Sequence, residues 1–210
     1  MPICFSWLLD NVVALGGCET HQIFRIAPRV DIIAKIKENM NYGEYDLLND
    51  QQPIVAAELL KHWLRGLREP LFPTQSYNTY IKVGRKFLDS HNIVTQEISE
   101  DCLTIYHLLP EVNLRMLFRI AGFFKIATDS VHSKLTNMSM QTLSIVFAPS
   151  CLRSPSDDIL EFAQNVHAQN AFLHCFLQWC IDSELEFDYS VYVETPPSYD
   201  EPEQKGKSTK

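Results

Sequence analysis

One arginine near the start of the chain is placed where it could act on a neighbouring molecule. Arg25 follows the bulky apolar residues Ile23 and Phe24, and Pro28 interrupts local helix three positions later. An apolar anchor beside a helix breaker predicts a loop that is fixed at its base, with the arginine pointing outwards. The guanidinium group is always charged, and its planar donors match phosphate oxygens, so it could reach into another protein's nucleotide site. The alternative is an ordinary surface arginine.

A second pair of cations lies on a predicted helix further along the chain. The segment QQPIVAAELLKHWLRGLREPLFP has a proline that suits a first helical position and apolar residues at helical spacing. Lys61 and Arg65 are four positions apart, so two like charges share one face of this helix. In an isolated helix such a pair costs roughly 0.2–0.5 kcal/mol. The pair indicates either a solvated basic edge, partly offset by Glu58 and Glu69, or a surface that binds an anionic partner.

The elements that must position these cations are predicted to be helices. Apolar residues recur at helical spacing in most of the chain, and caps or breakers separate the segments. No stretch alternates with a period of two for long enough to form a sheet, so the fold class is all-α. The predicted helices cover about residues 3–15, 30–41, 53–67, 74–87, 95–109, 112–126, 140–147 and 159–179.

Composition excludes several classes of function. The chain has 210 residues, of which 46% are hydrophobic and 21% charged, as expected of one globular domain. A net charge of -8 argues against a nucleic-acid partner, whose phosphates require a basic surface. No apolar segment is long enough to span a bilayer, so no transmembrane segment is predicted.

The cysteines and histidines do not predict a metal site. Six cysteines occur without a CxxC pair, and the seven histidines include no HExxH motif. Because no secretory signal precedes the cysteines, we interpret them as reduced, mostly buried thiols of a cytoplasmic protein.

The last part of the chain differs from the rest. Residues 184–210 are acidic and rich in proline and lysine, which predicts a disordered tail after a folded domain at 1–183. Pro196, Pro197 and Tyr199 form a PPxY tetrapeptide, the type of proline-rich segment that docks on aromatic grooves of WW domains. The alternative is a plain linker.

Four segments taken together resemble one known family. IFRIAP, VAAELLKHWLRGLREPLFP, LPEVNLRMLFRIAGFF and SIVFAPSCLR are similar, in order and spacing, to motifs of the RhoGAP domain family. The resemblance extends from about Pro2 to Ile181. The LGG and IFRI opening and the CLRSPSDD segment are most similar to the RhoGAP domain of the Vilse-type MyTH4-RhoGAP proteins.

The resemblance implies a RhoGAP-like multi-helix bundle that stimulates GTP hydrolysis by a GTP-bound, Rho-family small GTPase. It implies that Arg25 is an arginine finger, inserted in trans, and that Lys61 and Arg65 support the finger and face the GTPase. Asn113 matches an asparagine that is more structural than catalytic. Such a domain activates its partner and is not an independent enzyme; it needs no cofactor of its own, because GTP and Mg²⁺ belong to the partner.

Several residues depart from the family pattern. Gln22 replaces the glycine before IFR, and Pro28 replaces a glycine after the finger, which restricts the loop. Thr142 occupies the position of an asparagine that contacts the GTPase, and threonine has no amide. These changes leave open a second function, in which a pseudo-GAP binds the GTPase without accelerating hydrolysis. A third reading is a regulatory scaffold whose main partner is a WW-domain protein recruited by Pro196–Tyr199.

Overall fold

The computed structural model describes residues 2–44 and 52–183. Nine α-helices, numbered α1 to α9, and two short 3₁₀ turns account for the regular structure of these residues, which contain no β-strand. The helices are Ile3–Ala14, Val30–Asn41, Pro53–Arg65, Tyr77–Asp89, Gln96–Leu108, Glu111–Ala127, His132–Thr136, Met140–Cys151 and Ile159–Asp182. The 3₁₀ turns are Gly17–Glu19 and Thr74–Ser76. The predicted all-α class is confirmed.

Local sequence explains where several helices begin and end. Gly16 follows α1 with a φ of 82°, a left-handed conformation that glycine adopts without a steric penalty. Thr95, Ser139 and Asp158 each accept a hydrogen bond from a backbone amide in the first turn of α5, α8 and α9, respectively. These side chains satisfy donors that the helix itself leaves free.

The core is built around α9, the longest helix. α9 packs along α4 and also contacts α6 and α8, while α1 packs against α3. α4 and α9 approach so closely that a Cβ atom on Gly84 would lie 1.9 Å from the carbonyl oxygen of Ala168. Phe72 joins these layers through edge-to-face contacts with Phe172 and Phe176. The core therefore fixes α3, α6 and α8, the helices that surround the Arg25 loop.

Two sequence predictions about the helices are wrong, and one helix was missed. α8 does not end at Phe147 but continues through Pro149 to Cys151, since Pro149 lies on the exposed side, where water can replace the lost backbone bond. The helical spacing of the apolar residues in 159–179 predicts that Leu160 is buried, but Leu160 is 72% exposed and its neighbour Ile159 is 80% exposed, so the first turn of α9 is not covered. Helix α7 was not predicted at all, since five residues are too few to show a periodic pattern.

Two further predictions concern residues outside the described part of the chain. The boundary of the tail at 184–210 stays a prediction, as does the WW-docking motif of Pro196, Pro197 and Tyr199.

None of the helices that the structure describes is both long enough and apolar enough to cross a membrane.

Candidate functional site

The loop that carries Arg25 is tightly folded and fixed at its base. Ile23 is fully buried and Phe24 is 2% exposed, whereas Arg25 is exposed. The amides of Arg25 and Ile26 both donate to the carbonyl oxygen of Gln22, at 2.9 and 3.3 Å. The chain therefore turns sharply between Gln22 and Ile26 and presents Arg25 at its tip. We call residues 20–28 the finger loop.

Aromatic packing anchors this loop to the core. The ring of Phe24 lies edge-to-face against Phe147 of α8, with centroids 4.7 Å apart, and against Phe123 of α6 at 5.7 Å. Such pairs contribute about 0.5–1.5 kcal/mol beyond the area they bury. Since Arg25 follows Phe24 directly, these contacts fix the base from which the arginine side chain extends.

A buried lysine on α3 binds the backbone of the finger loop. Lys61 on α3 is 9% exposed, and its Nζ atom donates to the carbonyl oxygen of Phe24 at 2.7 Å. The same Nζ atom lies 2.7 Å from a carboxylate oxygen of Glu58. A hydrogen bond from a charged donor is stronger than a neutral one, and both groups here are largely out of water. The sequence put Lys61 on a basic surface, but the structure buries it beneath the loop.

Glu58 also offsets the second cation of the pair. Arg65 lies 3.0 Å from Glu58 and donates from Nε to the carbonyl oxygen of Lys61 at 3.2 Å, while 44% of its side chain remains exposed. His62 approaches the same carboxylate at 3.4 Å; burial and then the charge of Arg65 lower the pKa of its imidazole. The compensation by Glu58 is confirmed. Glu69 accepts a hydrogen bond from the Thr74 amide at 2.7 Å, and its part in the compensation stays a prediction.

A second helix holds the other side of the finger loop. The amide of Gln22 donates to the carbonyl oxygen of Thr136, the last residue of α7, at 2.6 Å. The short α7 also contacts the 3₁₀ turn that leads into the loop. This contact could not be predicted from the sequence, because the hydrogen bond joins two backbone groups and leaves no signal in residue types.

The two remaining predicted site residues have local partners. Thr142 lies partly exposed in the first turn of α8, with its hydroxyl 3.0 Å from the hydroxyl of Ser139. Asn113 donates from its amide to the carbonyl oxygen of Leu71 at 2.8 Å, which ties α6 to the segment between α3 and α4. The structure thus places the side chain of Lys61, on α3, against the loop that carries Arg25, and gives Asn113 a contact elsewhere.

The charge of Arg25 has no counter-ion in the part of the chain that the structure describes. No carboxylate of residues 2–44 and 52–183 forms an ion pair with Arg25, in contrast to Arg29, which pairs with Asp31 at 2.7 Å. Over the same residues, no group of three histidine, cysteine, aspartate or glutamate side chains could hold a metal ion. The arrangement offers an exposed, rigidly based cation and suits the binding of an external anion.

Comparison with known proteins gives a consistent result. The chain is 27% identical over 198 residues to GTPase activating protein homolog 3 of Dictyostelium discoideum, which covers 94% of this chain and 14% of that protein. It is 30% identical over 154 residues to GTPase activating protein homolog 4 of the same organism, covering 72% and 15%. Rho GTPase-activating protein 23 of Mus musculus is 26% identical over 175 residues, covering 80% and 11%. The chain therefore spans less than a fifth of the length of these relatives.

Solved structures share the fold. The BH domain from Graf, the GTPase regulator associated with focal adhesion kinase, superposes with a TM-score of 0.67 at 20% identity, covering 87% of this chain and 97% of that one. Human Rho GTPase activating protein 15 gives a TM-score of 0.70 at 23% identity, covering 84% and 83%. The narrower similarity to Vilse-type proteins stays a prediction. The RhoGAP domain profile matches residues 2–156, and the chain belongs to the RhoGAP domain family.

Proposed function

We propose that this chain is a GTPase-activating domain that stimulates GTP hydrolysis by a Rho-family small GTPase, with Arg25 as the arginine finger. The observation that carries the proposal is the exposed Arg25 at the tip of a loop whose backbone is held by the buried Lys61. The family and the relatives named as GTPase-activating proteins support the same activity.

The chemistry follows from the charge that develops during hydrolysis. As the γ-phosphoryl group is transferred, negative charge spreads over its oxygens, and a GTPase alone stabilises this charge poorly. An arginine supplied in trans neutralises that charge, an effect on the order of 10³ to 10⁵ in rate. A rigid loop lowers the cost of placing the guanidinium, because its position is fixed before the partner arrives.

The partner supplies the remaining components. The GTP-bound GTPase brings the nucleotide, Mg²⁺ and the residue that orients the attacking water, so this chain needs no cofactor of its own. Arg65 remains partly exposed beside the loop and is assigned to the surface that meets the GTPase, together with Thr142. Lys61 and Asn113 are assigned to support, since each donates to a backbone carbonyl.

Single-turnover hydrolysis of GTP tests this proposal. A panel of Rho-family GTPases is loaded with GTP and mixed with the wild-type chain or with Arg25→Ala. We expect the wild type to accelerate hydrolysis and Arg25→Ala to reduce this acceleration by about 10³-fold or more. The control is Arg115→Ala, because Arg115 is also exposed but pairs with Glu111 on α6. Equal acceleration by wild type and Arg25→Ala would rule out the finger.

One observation favours a second function, that of a pseudo-GAP. The hydroxyl of Thr142 is engaged with Ser139, so it offers the partner less than a free amide would. Gln22 and Pro28 also restrict the finger loop. If the domain binds the GTP-bound GTPase without accelerating hydrolysis for any member of the panel, this second function replaces the first.

The PPxY segment carries a separate proposal. Pro196, Pro197 and Tyr199 would bind the aromatic groove of a WW domain. Titration of the chain with an isolated WW domain tests this, with Tyr199→Ala as the control variant. Undiminished binding by Tyr199→Ala would remove the tetrapeptide as the docking site.

A further inference from the structure

Side-chain hydrogen bonds fix both ends of α7, the helix whose last residue holds the Gln22 amide. A carboxylate oxygen of Asp129 accepts from the amides of Val131 and His132, both at 2.8 Å, and its other oxygen lies 2.8 Å from Nδ1 of His132. Asp129 thus closes the start of α7, and these bonds lower the pKa of its carboxyl group. α7 contacts the 3₁₀ turn that leads into the finger loop. Burial and then the charge of Asp129 raise the pKa of Cys18 in that turn.

The end of α7 is fixed by the hydroxyl group of Thr136. This residue is fully buried, and its Oγ1 atom donates to the carbonyl oxygen of His132 at 2.9 Å and accepts from the amide of Met138 at 3.2 Å. Asn137 between them has a φ of 55°, so the chain reverses direction at this point. The hydroxyl therefore bonds to the backbone on both sides of the reversal and restrains the Thr136 carbonyl group.

That carbonyl group is the acceptor for the Gln22 amide, and Gln22 is strained. Gln22 and Phe24 have φ values of 52° and 69°, in a left-handed region that residues with a Cβ atom adopt at a cost. Strained backbone persists only where its surroundings fix it. Phe24 is fixed by Lys61 and by ring packing, whereas the backbone bond that fixes the Gln22 amide comes from Thr136.

We propose that Thr136 is a positioning residue for the arginine finger. Its hydroxyl fixes the carbonyl group that holds the Gln22 amide, and this bond sets the direction in which Arg25 leaves the loop. The inference rests on the proposed function, since the finger has a task only if the domain accelerates hydrolysis. Loss of the hydroxyl leaves the loop attached at Lys61 but free to pivot at Gln22. Because a displacement of about 1 Å at a reacting group can cost about 10²-fold in rate, such pivoting lowers kcat.

The test uses Thr136→Val, which keeps the branched shape but removes the hydroxyl, and Thr136→Ser, which restores it. Two readouts are measured on the same proteins: hydrogen exchange of the Gln22 amide by NMR, and kcat and KM for activation of a responsive GTPase. In Thr136→Val we expect exchange about 10-fold faster or more, kcat lower by about 10-fold or more, and KM within about twofold. Thr136→Ser should return both readouts to near the wild-type values.

A matched control separates positioning from general stability. Trp179→Phe removes the bond between Trp179 Nε1 and the Ser99 hydroxyl, which joins α9 to α5, and should leave Gln22 exchange and kcat unchanged. Should Thr136→Val fail to fold, Asp129→Asn weakens α7 from its exposed start and should change both readouts in the same direction. Unchanged exchange and kcat in a folded Thr136 variant would overturn the proposal, as would equal losses in Trp179→Phe. If the wild type activates no GTPase, the proposed function fails, whereas the exchange comparison still decides whether Thr136 holds the loop.

Discussion

Removing the charge of Lys61 should weaken both the fold and the activity, and Lys61→Met is the variant that isolates this effect. Methionine keeps a stem of similar length but cannot donate to the Phe24 carbonyl oxygen, 2.7 Å from Nζ in the wild type. A hydrogen bond from a charged group contributes about 1.5–3 kcal/mol, and breaking a buried ion pair costs about 3–5 kcal/mol. Glu58 keeps Arg65 as a partner, so the ion-pair part is only partly lost. We expect the free energy of unfolding to fall by about 3 kcal/mol.

The expected loss is large enough to measure by two independent assays. For a domain of this size, about 3 kcal/mol lowers Tm by about 6–12 °C. At a temperature where the variant stays folded, single-turnover hydrolysis should fall by about 10- to 100-fold, because the Phe24 carbonyl group loses its hydrogen bond to α3 and only ring packing holds this part of the loop. Lys86→Met is the control, since Lys86 on α4 pairs with Glu97 and Asp101, both on α5, and should not affect the rate. A Lys61→Met protein with wild-type Tm and rate would refute the role given to this lysine.

Three further changes test other parts of the structure. Gln22→Gly should raise the free energy of unfolding, measured by urea titration, by about 0.5 kcal/mol. Glycine removes about 1–2 kcal/mol of left-handed backbone strain at this position and adds an entropic cost of about 0.5–1 kcal/mol. Gln22→Ala keeps a Cβ atom and should show no such gain. Gly84→Ala should destabilise by about 3 kcal/mol or more, because its Cβ atom would meet the Ala168 carbonyl oxygen at 1.9 Å, and normal thermal stability would contradict the close packing. The pKa of Asp129 is lower in the folded chain than its unfolded value of about 3.9, so its contribution is complete above that pH and disappears as pH falls through the folded value. The stability difference between wild type and Asp129→Asn should therefore vanish in acid, and a difference that grows there would contradict the assignment.

The sequence was informative about the loop that carries Arg25, because its signal lies in adjacent residues. Apolar anchors, an arginine and a proline occur within a few positions, and the structure places Phe24 in the core with Arg25 exposed. The helix that carries Lys61 could also be predicted, since Pro53 begins it and its apolar positions follow the helical period. Side-chain patterns of this kind depend on residues that are close together in the sequence, so they can be predicted from it.

The supports of the finger loop could not be predicted in the same way. Lys61 and its acceptor at Phe24 are 37 positions apart, and the acceptor is a backbone carbonyl that every residue possesses. The bond between Thr136 and Gln22 involves two backbone groups and depends on α7, a helix of five residues. Periodicity also failed at Pro149, where the position of the proline on an exposed face allowed the helix to continue. Such features depend on tertiary contacts.

The most direct test of the central claim measures binding to a mimic of the transition state. A Rho-family GTPase loaded with GDP and aluminium fluoride resembles the phosphoryl group during transfer, whereas a GTPase loaded with a non-hydrolysable GTP analogue resembles the ground state. Transition-state mimics bind at least about 10²-fold more tightly where the binding site stabilises the transition state. The account predicts that the wild-type chain shows this preference, and that Arg25→Ala loses it while still binding the ground-state complex. An Arg25→Ala variant that keeps the full preference for the aluminium fluoride complex would contradict the account.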